Sequence, residues 1–361
     1  MKNIPYKILT LSLLATLLGV LSSSSLHATA ASSISVTYAG TYTPNLTYAQ
    51  GNVVKYGNCT YIALGAIATN ASPSSRPSAW TVLGVLPENN LFGSGSNTFS
   101  LDFVTIGNPG NQNDSNGYGK VSYSYQMGAY DISVNQYNAA SSNGALGLGD
   151  TWFTNGDQPA TAMNWYQVAA FVNWLNTSQG YSPAYKLTYS SNTGYSMALW
   201  PTNQAWTNGG MNLYRNASCV YFLPSENEWY KAAYYDPTKN NGNGGYWLYP
   251  TGSSNAPVAV ASGTNTQTAV YNQSWSTSPA PVYQAGGLSP YGTMGQGGNV
   301  WQILETAASG VNNSTTLNCT AAGGAWPAGL GALAGGFQNF STNTRTFQNA
   351  TAGFRVARIL P

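Results

Sequence analysis

The chain has 361 residues, of which only 6% are charged, against roughly a quarter in an average domain. The formal net charge is +2, and beyond Lys2 and Lys7 the acidic and basic side chains balance. That balance excludes a basic field able to hold nucleic acid. The 13% of aromatic residues argues against disorder, because it can bury a large surface.

The N-terminus reads MKNIPYK, then the apolar run ILTLSLLATLLGVL, then small residues at 28–30. Residues 1–30 are read as a signal peptide cleaved after Ala30, which predicts a secreted or cell-envelope protein. The alternative is an uncleaved N-terminal anchor. No later apolar run is long enough to span a bilayer. The only histidine, His27, falls in this leader. The rest of the chain therefore cannot build a Ser-His-Asp triad, a Cys-His pair or a His-ligated metal site.

Residues 34–86 read as a small β module. The stretch NVVKYGNCTYIA predicts two short strands about a Gly57-Asn58 turn. The spacing of Tyr48, Tyr56, Tyr61 and Trp80 resembles small chitin-binding-type carbohydrate modules. In that family exposed aromatics stack on sugar rings, so the resemblance makes these four residues candidate carbohydrate contacts. The sequence ALGAIAT stands where those modules often carry a tryptophan pair. The alternative is that the four aromatics form the core of a three-stranded mini-sheet. Residues 87–98, PENNLFGSGSNT, have a linker composition.

Three helices are expected beyond it, each opened by a capping box. Ser133 and Gln136 start one, Asn164 and Gln167 a second, Ser225 and Glu228 a third. In the second, Ala169, Phe171, Val172 and Leu175 form one apolar stripe, joined at its start by Trp165. The remainder reads as short strands between Gly, Pro and Asn turns. Cys59, Cys219 and Cys319 are an odd set. They leave at least one thiol free or bonded between molecules. A Cys219–Cys319 bridge and three small buried thiols are both compatible with the spacing.

From residue 99 to 360 six landmarks occur in a fixed order. They are YQMGAYDISVNQY (125–137), QPATAMNWYQVAAFVNWLN (158–176), YFLPSENEWYKAA (221–233), GGNVWQI (297–303), GGAW (323–326) and GFRVAR (353–358). Together they resemble the formylglycine-generating enzyme, or sulfatase-modifying factor, family. The resemblance implies an α+β, C-type-lectin-like, loop-rich fold preceded by the small all-β module. The signatures around 289–301 are similar to those of exported bacterial members, although the closing RILP does not resemble their sorting tail.

The family enzyme oxidises a substrate cysteine to formylglycine, using copper and two cysteines between its G-G-S-W and G-F-R motifs. Here the interval 327–352 holds no cysteine, and soft Cu(I) wants thiolate ligands. The family also holds calcium on a turn that matches Gly295, Gly298, Val300 and Gln302. Hard cations want carboxylates, and Gly295 and Gln302 supply none. Neither copper nor calcium is expected as a cofactor. Restoring two acids, Gly295→Asp with Gln302→Glu, is expected to create calcium dependence. Asp131 is read as a local acceptor, Arg355 as a buried structural guanidinium, and Glu226 and Glu228 as pointing apart on one helix.

The preferred function is an exported, non-catalytic binding or cell-surface protein for a carbohydrate or protein ligand. Trp326, Phe337, Phe340, Arg345 and Phe347, in loops that form the ligand face of related folds, are its candidate contacts. The alternatives are an oxidase with an atypical site and a display scaffold with a diversified C-terminal segment.

Overall fold

The computed structural model describes residues 36–43, 45–56, 59–73, 76–85, 90–145, 147–336 and 344–359. The expected signal peptide, the Gly57-Asn58 turn, Phe337 and Phe340 lie outside them. The chain divides into two units, one of residues up to Gly84 except 57–59, the other running from Val85 onward. No helix among the described residues is long and apolar enough to cross a membrane.

The first unit is one four-stranded sheet, β1 (Thr37–Thr41), β2 (Asn52–Tyr56), β3 (Cys59–Ala63) and β4 (Trp80–Val85), in that spatial order. β1 and β2 run parallel. Its small core is Tyr48, Val54, Ala63, Ile67, Ala71 and Trp80.

The second unit begins with β5 (Leu91–Phe92) paired to β6 (Phe99–Ser100). Residues 90–98 are thus no linker. Phe92 is fully buried in the large core, stacked on Phe99 with ring centroids 5.5 Å apart. Gly, Ser and Asn dominate the segment, yet one phenylalanine anchors it.

Next come β7 (Phe103–Ile106), β8 (Tyr125–Gly128), α1 (Val134–Ser142) and α2 (Trp165–Ser178). Two hairpin-like pairs follow, β9 (Lys186–Ser190) with β10 (Gly194–Ala198) and β11 (Ala205–Trp206) with β12 (Asn212–Asn216). Beyond them lie β13 (Tyr221–Phe222) and α3 (Glu226–Tyr234). Short pairs β14 (Tyr235–Asp236) with β15 (Gly245–Tyr246) and β16 (Val258–Ala259) with β17 (Thr268–Ala269) lead to β18 (Trp301–Ala307), β19 (Cys319–Ala322), β20 (Ala352–Gly353) and β21 (Ala357–Arg358).

Two sheets organise these pieces. One has the order β13–β21–β8–β7, so the chain's last strand lies between two strands from well before it. The other is β19–β18–β20, with β18 antiparallel to β19 and parallel to β20. The α2 stripe of Val168, Phe171, Val172 and Leu175 is fully buried against Tyr137, Met127 and Phe354.

All three expected helices start where their caps stand. Each cap oxygen accepts the third residue's amide, and each third residue's side chain answers the cap's own amide. Such caps each contribute about 1 kcal/mol.

Candidate functional site

Buried side chains hold the 289–306 turn. Gln302, on β18, is fully buried. Its amide nitrogen donates to the Gly295 carbonyl at 2.7 Å. Its amide oxygen accepts from the Arg355 Nε at 2.7 Å and from the Trp229 indole. The remaining Arg355 nitrogens donate to the carbonyls of Gly128 and Met294 at 2.9 and 2.7 Å, and to Asp131 at 3.2 Å. Arg355 is therefore the buried structural guanidinium the sequence indicated, and Asp131 is its ion-pair partner. Burial pushes the Asp131 carboxyl up to about 7 against the opposing pull of Arg355.

The expectation for Gly295→Asp with Gln302→Glu needs correction. Gly295 has φ +74°, and a Cβ there would lie 3.3 Å from the Ala285 Cβ and 3.4 Å from an Asp131 oxygen. An aspartate there would be strained, a cost that any calcium bound between it, Asp131 and the glutamate of Gln302→Glu would have to offset.

A second cluster joins five segments of the chain. Arg215 on β12 reaches Glu228 on α3 and Glu305 on β18, at 2.8 Å to each, and all three side chains are buried. The Tyr123 hydroxyl and the Ser225 amide also donate to Glu228, and Tyr185 and Asn212 donate to Glu305. Burial would raise the Glu228 carboxyl, but Arg215 holds it below the ordinary range. At Glu305 burial outweighs the same guanidinium and the pKa rises. Arg215 forms part of the floor of a polar cleft of about 370 Å3, walled by Tyr118, Lys120, Asn212, Glu226 and Asn227.

Glu226 faces this cleft while Glu228 faces inward, so the two carboxyls do point apart. Burial pushes Glu226 up to about 7. An acid whose folded pKa is raised favours the fold while it is protonated. Its contribution is present below the ordinary carboxylate pKa and is lost as pH rises toward about 7. Asp131 acts in the same direction. Glu226→Gln should therefore flatten the fall in melting temperature between about pH 4.5 and pH 7, read by thermal unfolding across that range. An unchanged slope would remove Glu226 from the account.

The C-terminal candidates separate. Trp326 is buried, packed with Val270, Val300 and Ala325. Arg345 is only 4% exposed, lying 4.5 Å from the Trp165 ring centre and 4.6 Å from that of Tyr214. Neither is a surface contact, because both side chains are packed inward among aromatic rings. Phe347 is 49% exposed. It joins Met163, Trp165, Trp301, Ile303 and Cys319 around a cavity of about 120 Å3.

Trp301 is half-buried and touches three of the large unit's apolar clusters. Trp301→Ala should cost about 3 kcal/mol, the low end for emptying a large aromatic site. Urea unfolding gives the value, and an unchanged midpoint would deny Trp301 a packing role.

The carbohydrate candidates of the first unit are corrected by burial. Tyr48 and Trp80 are each 4% exposed and pack edge to face with centroids 5.6 Å apart. The Trp80 indole donates to the Ala71 carbonyl at 2.9 Å. Tyr61 is half-buried against the same core, and the Tyr56 side chain lies outside what is described. Tyr48 and Trp80 are thus the core of the module, since a sheet this small has few other large apolar groups to bury. Cys219 and Cys319 are both buried and are not bonded to each other. Burial pushes their thiols up to about 12 and about 11.

Sequence reasoning missed Arg215, whose two acid partners come from remote segments, and the exposed pair Trp152 and Trp275. The sole local sign of the latter was a tryptophan within a Ser/Thr-rich turn, SWSTS.

Sheet order, capped helices and the buried turn define a C-type-lectin-like, α+β domain of the formylglycine-generating type. Residues 107–360 match the sulfatase-modifying factor enzyme 1-like domain, and the chain belongs to this family. Among solved structures it is similar to Treponema denticola variable protein 1, at 19% identity and TM-score 0.50, over 75% of this chain and 98% of that one. It is also similar to CarF (20%, 0.47, over 72% and 99%) and to PvdO from Pseudomonas aeruginosa (14%, 0.44, over 75% and 98%). No curated protein matches it.

Proposed function

We propose that the chain is an exported, non-catalytic member of the family that binds a carbohydrate or protein ligand. The observation that carries the reading is the chemistry of its thiols. The interval where family enzymes place two copper-binding cysteines has none. The two cysteines described in the large unit are buried, with raised pKa values. A buried thiol held protonated is neither a nucleophile nor a Cu(I) ligand.

The turn residues do not fit calcium either. The Gly295 carbonyl already accepts from Gln302, and the charged group on the other side of that amide is the Arg355 cation. A hard dication would have to displace a guanidinium to gain a neutral amide.

The test incubates the full chain with copper and a Cys-x-Pro-x-Arg peptide and reads aldehyde by mass spectrometry. No aldehyde is expected. Formation of aldehyde at a rate proportional to protein would establish the oxidase reading instead. Export is tested separately by intact mass in the native host. A chain starting at Ala31 is expected, and a mature species retaining Met1 would overturn it.

A further inference from the structure

Two tryptophans of the large unit stand out into solvent, Trp275 at 73% and Trp152 at 68% exposure. Scattered apolar residues on a surface need no explanation, but these two, though not themselves among its lining, adjoin one groove in sequence. Each immediately precedes a residue that lines one shallow groove of about 570 Å3: Trp152 precedes Phe153, and Trp275 precedes Ser276. Behind the groove, the buried Trp326 ring meets Phe153 at 5.7 Å and Trp275 at 6.2 Å between centroids, both edge to face.

The rest of the lining is small and neutral: Gln158, Ser262, Thr277 and Ser278, with Ala and Pro between them. No lining residue is charged. The Asp157 carboxylate, one residue from Gln158, already accepts the Tyr283 hydroxyl at 2.8 Å.

The turn that carries Trp275 is pinned. The Thr277 amide and hydroxyl both donate to the Ser274 carbonyl, at 3.0 and 2.7 Å. The Gln273 amide donates to the Trp326 carbonyl at 2.8 Å. The exposed indole is therefore presented on a preorganised backbone, which lowers the ordering cost of binding. Farther along the same segment, the Gln158 amide nitrogen donates to the Ser278 hydroxyl oxygen and the Pro279 carbonyl, both at 2.8 Å. Among the described residues, the Gln158 carbonyl oxygen and the Ser278 hydroxyl proton have no partner, so an acceptor and a donor remain side by side.

We infer that this groove binds a neutral carbohydrate chain, with Trp275 and Trp152 as stacking planes and Gln158 and Ser278 as hydroxyl partners. A pyranose ring has an apolar C–H face and a rim of hydroxyls. It matches an exposed aromatic plane beside unpaired neutral polar groups. Nucleic acid and anionic membrane surfaces need cations that the groove lacks. An acidic glycan needs the same. The inference rests on the binding-protein reading and gives it a surface. That surface lies outside the 324–353 loops, except for Trp326 behind it.

The experiment titrates the full chain with four neutral hexasaccharides (cellohexaose, chitohexaose, laminarihexaose and maltohexaose). Binding is read by tryptophan fluorescence and calorimetry. At least one should bind at about 1 mM or tighter, with affinity unchanged between about 50 and about 500 mM salt. Trp275→Ala should weaken it about tenfold or more, Trp152→Ala should also weaken it, and Tyr189→Ala, at an exposed tyrosine on β9, should leave it unchanged. Unchanged urea midpoints show that the variants keep the fold. Binding that survives both tryptophan changes would overturn this site while leaving the binding-protein reading in place. No binding to any of the four sugars, with capture of a peptide on a parallel peptide array, would overturn the carbohydrate inference alone. Aldehyde formation in the copper assay is the result that sinks the underlying reading.

Discussion

Arg215→Ala should destabilise the protein by about 3–5 kcal/mol, because it strands two buried carboxylates without their shared cation. Glu228 and Glu305 each lie 2.8 Å from the guanidinium, and both carboxylates are buried. The loss has a signature that plain cavity formation does not share. Without Arg215 both acids gain raised folded pKa values, so stability lost at pH 7 should be partly regained as pH falls and the carboxyls protonate. Adding Glu305→Gln should also recover part of the loss, since it removes one unpaired charge. That is a coupling a double-mutant cycle measures directly. Arg215→Lys should behave nearly as badly as alanine, because one ammonium cannot span two carboxylates as a planar fork does. Equilibrium urea unfolding at pH 5 and pH 7 reads all four. A pH-independent loss, or full rescue by lysine, would show that the cluster is packing rather than charge pairing.

Gln302→Leu is the second large expectation. The leucine leaves the Arg355 Nε, the Trp229 indole N–H and the Gly295 carbonyl buried without their partner. At ~1–3 kcal/mol for each buried group left unsatisfied, the expected cost is about 3–5 kcal/mol. Gln302→Glu should cost less, since a carboxylate keeps both acceptor contacts and loses only the donor to Gly295. A calcium site and a side-chain-held turn differ sharply here. Ligand binding at a hundredfold excess over Kd stabilises by about 2.7 kcal/mol, so a working calcium turn would move the melting temperature on addition of calcium or chelator. No shift is expected for the parent chain, and none for Gln302→Glu, in which Arg355 is already the counter-charge. A calcium-dependent rise in the parent would mean that the ion is held by carbonyls elsewhere in 289–306.

Local chemistry was legible in the sequence. Ser133, Asn164 and Ser225 cap their helices because a capping box involves residues three apart, and nothing distant can move them far. Arg355 was legible as structural because a lone arginine in an apolar strand must find carbonyls or an acid. Glu228 was legible as a cap partner. That it also holds Arg215 was not, because the cluster needs Glu305 as well, 90 positions from Arg215 and on a strand of a different sheet.

Burial followed the same division. The six ordered motifs determined the family and hence the fold, since each encodes a short-range turn, cap or strand. Which aromatics face solvent is another matter. Tyr48 and Trp80 looked like a sugar platform and are a core, and Trp326 and Arg345 looked like contacts and are interior. Phe92, inside an apparent linker, anchors the large unit. Trp275, inside an ordinary Ser/Thr turn, stands exposed. A side chain's own neighbours in sequence set its backbone conformation, but its exposure depends on which remote segment covers it, and only the tertiary structure decides that.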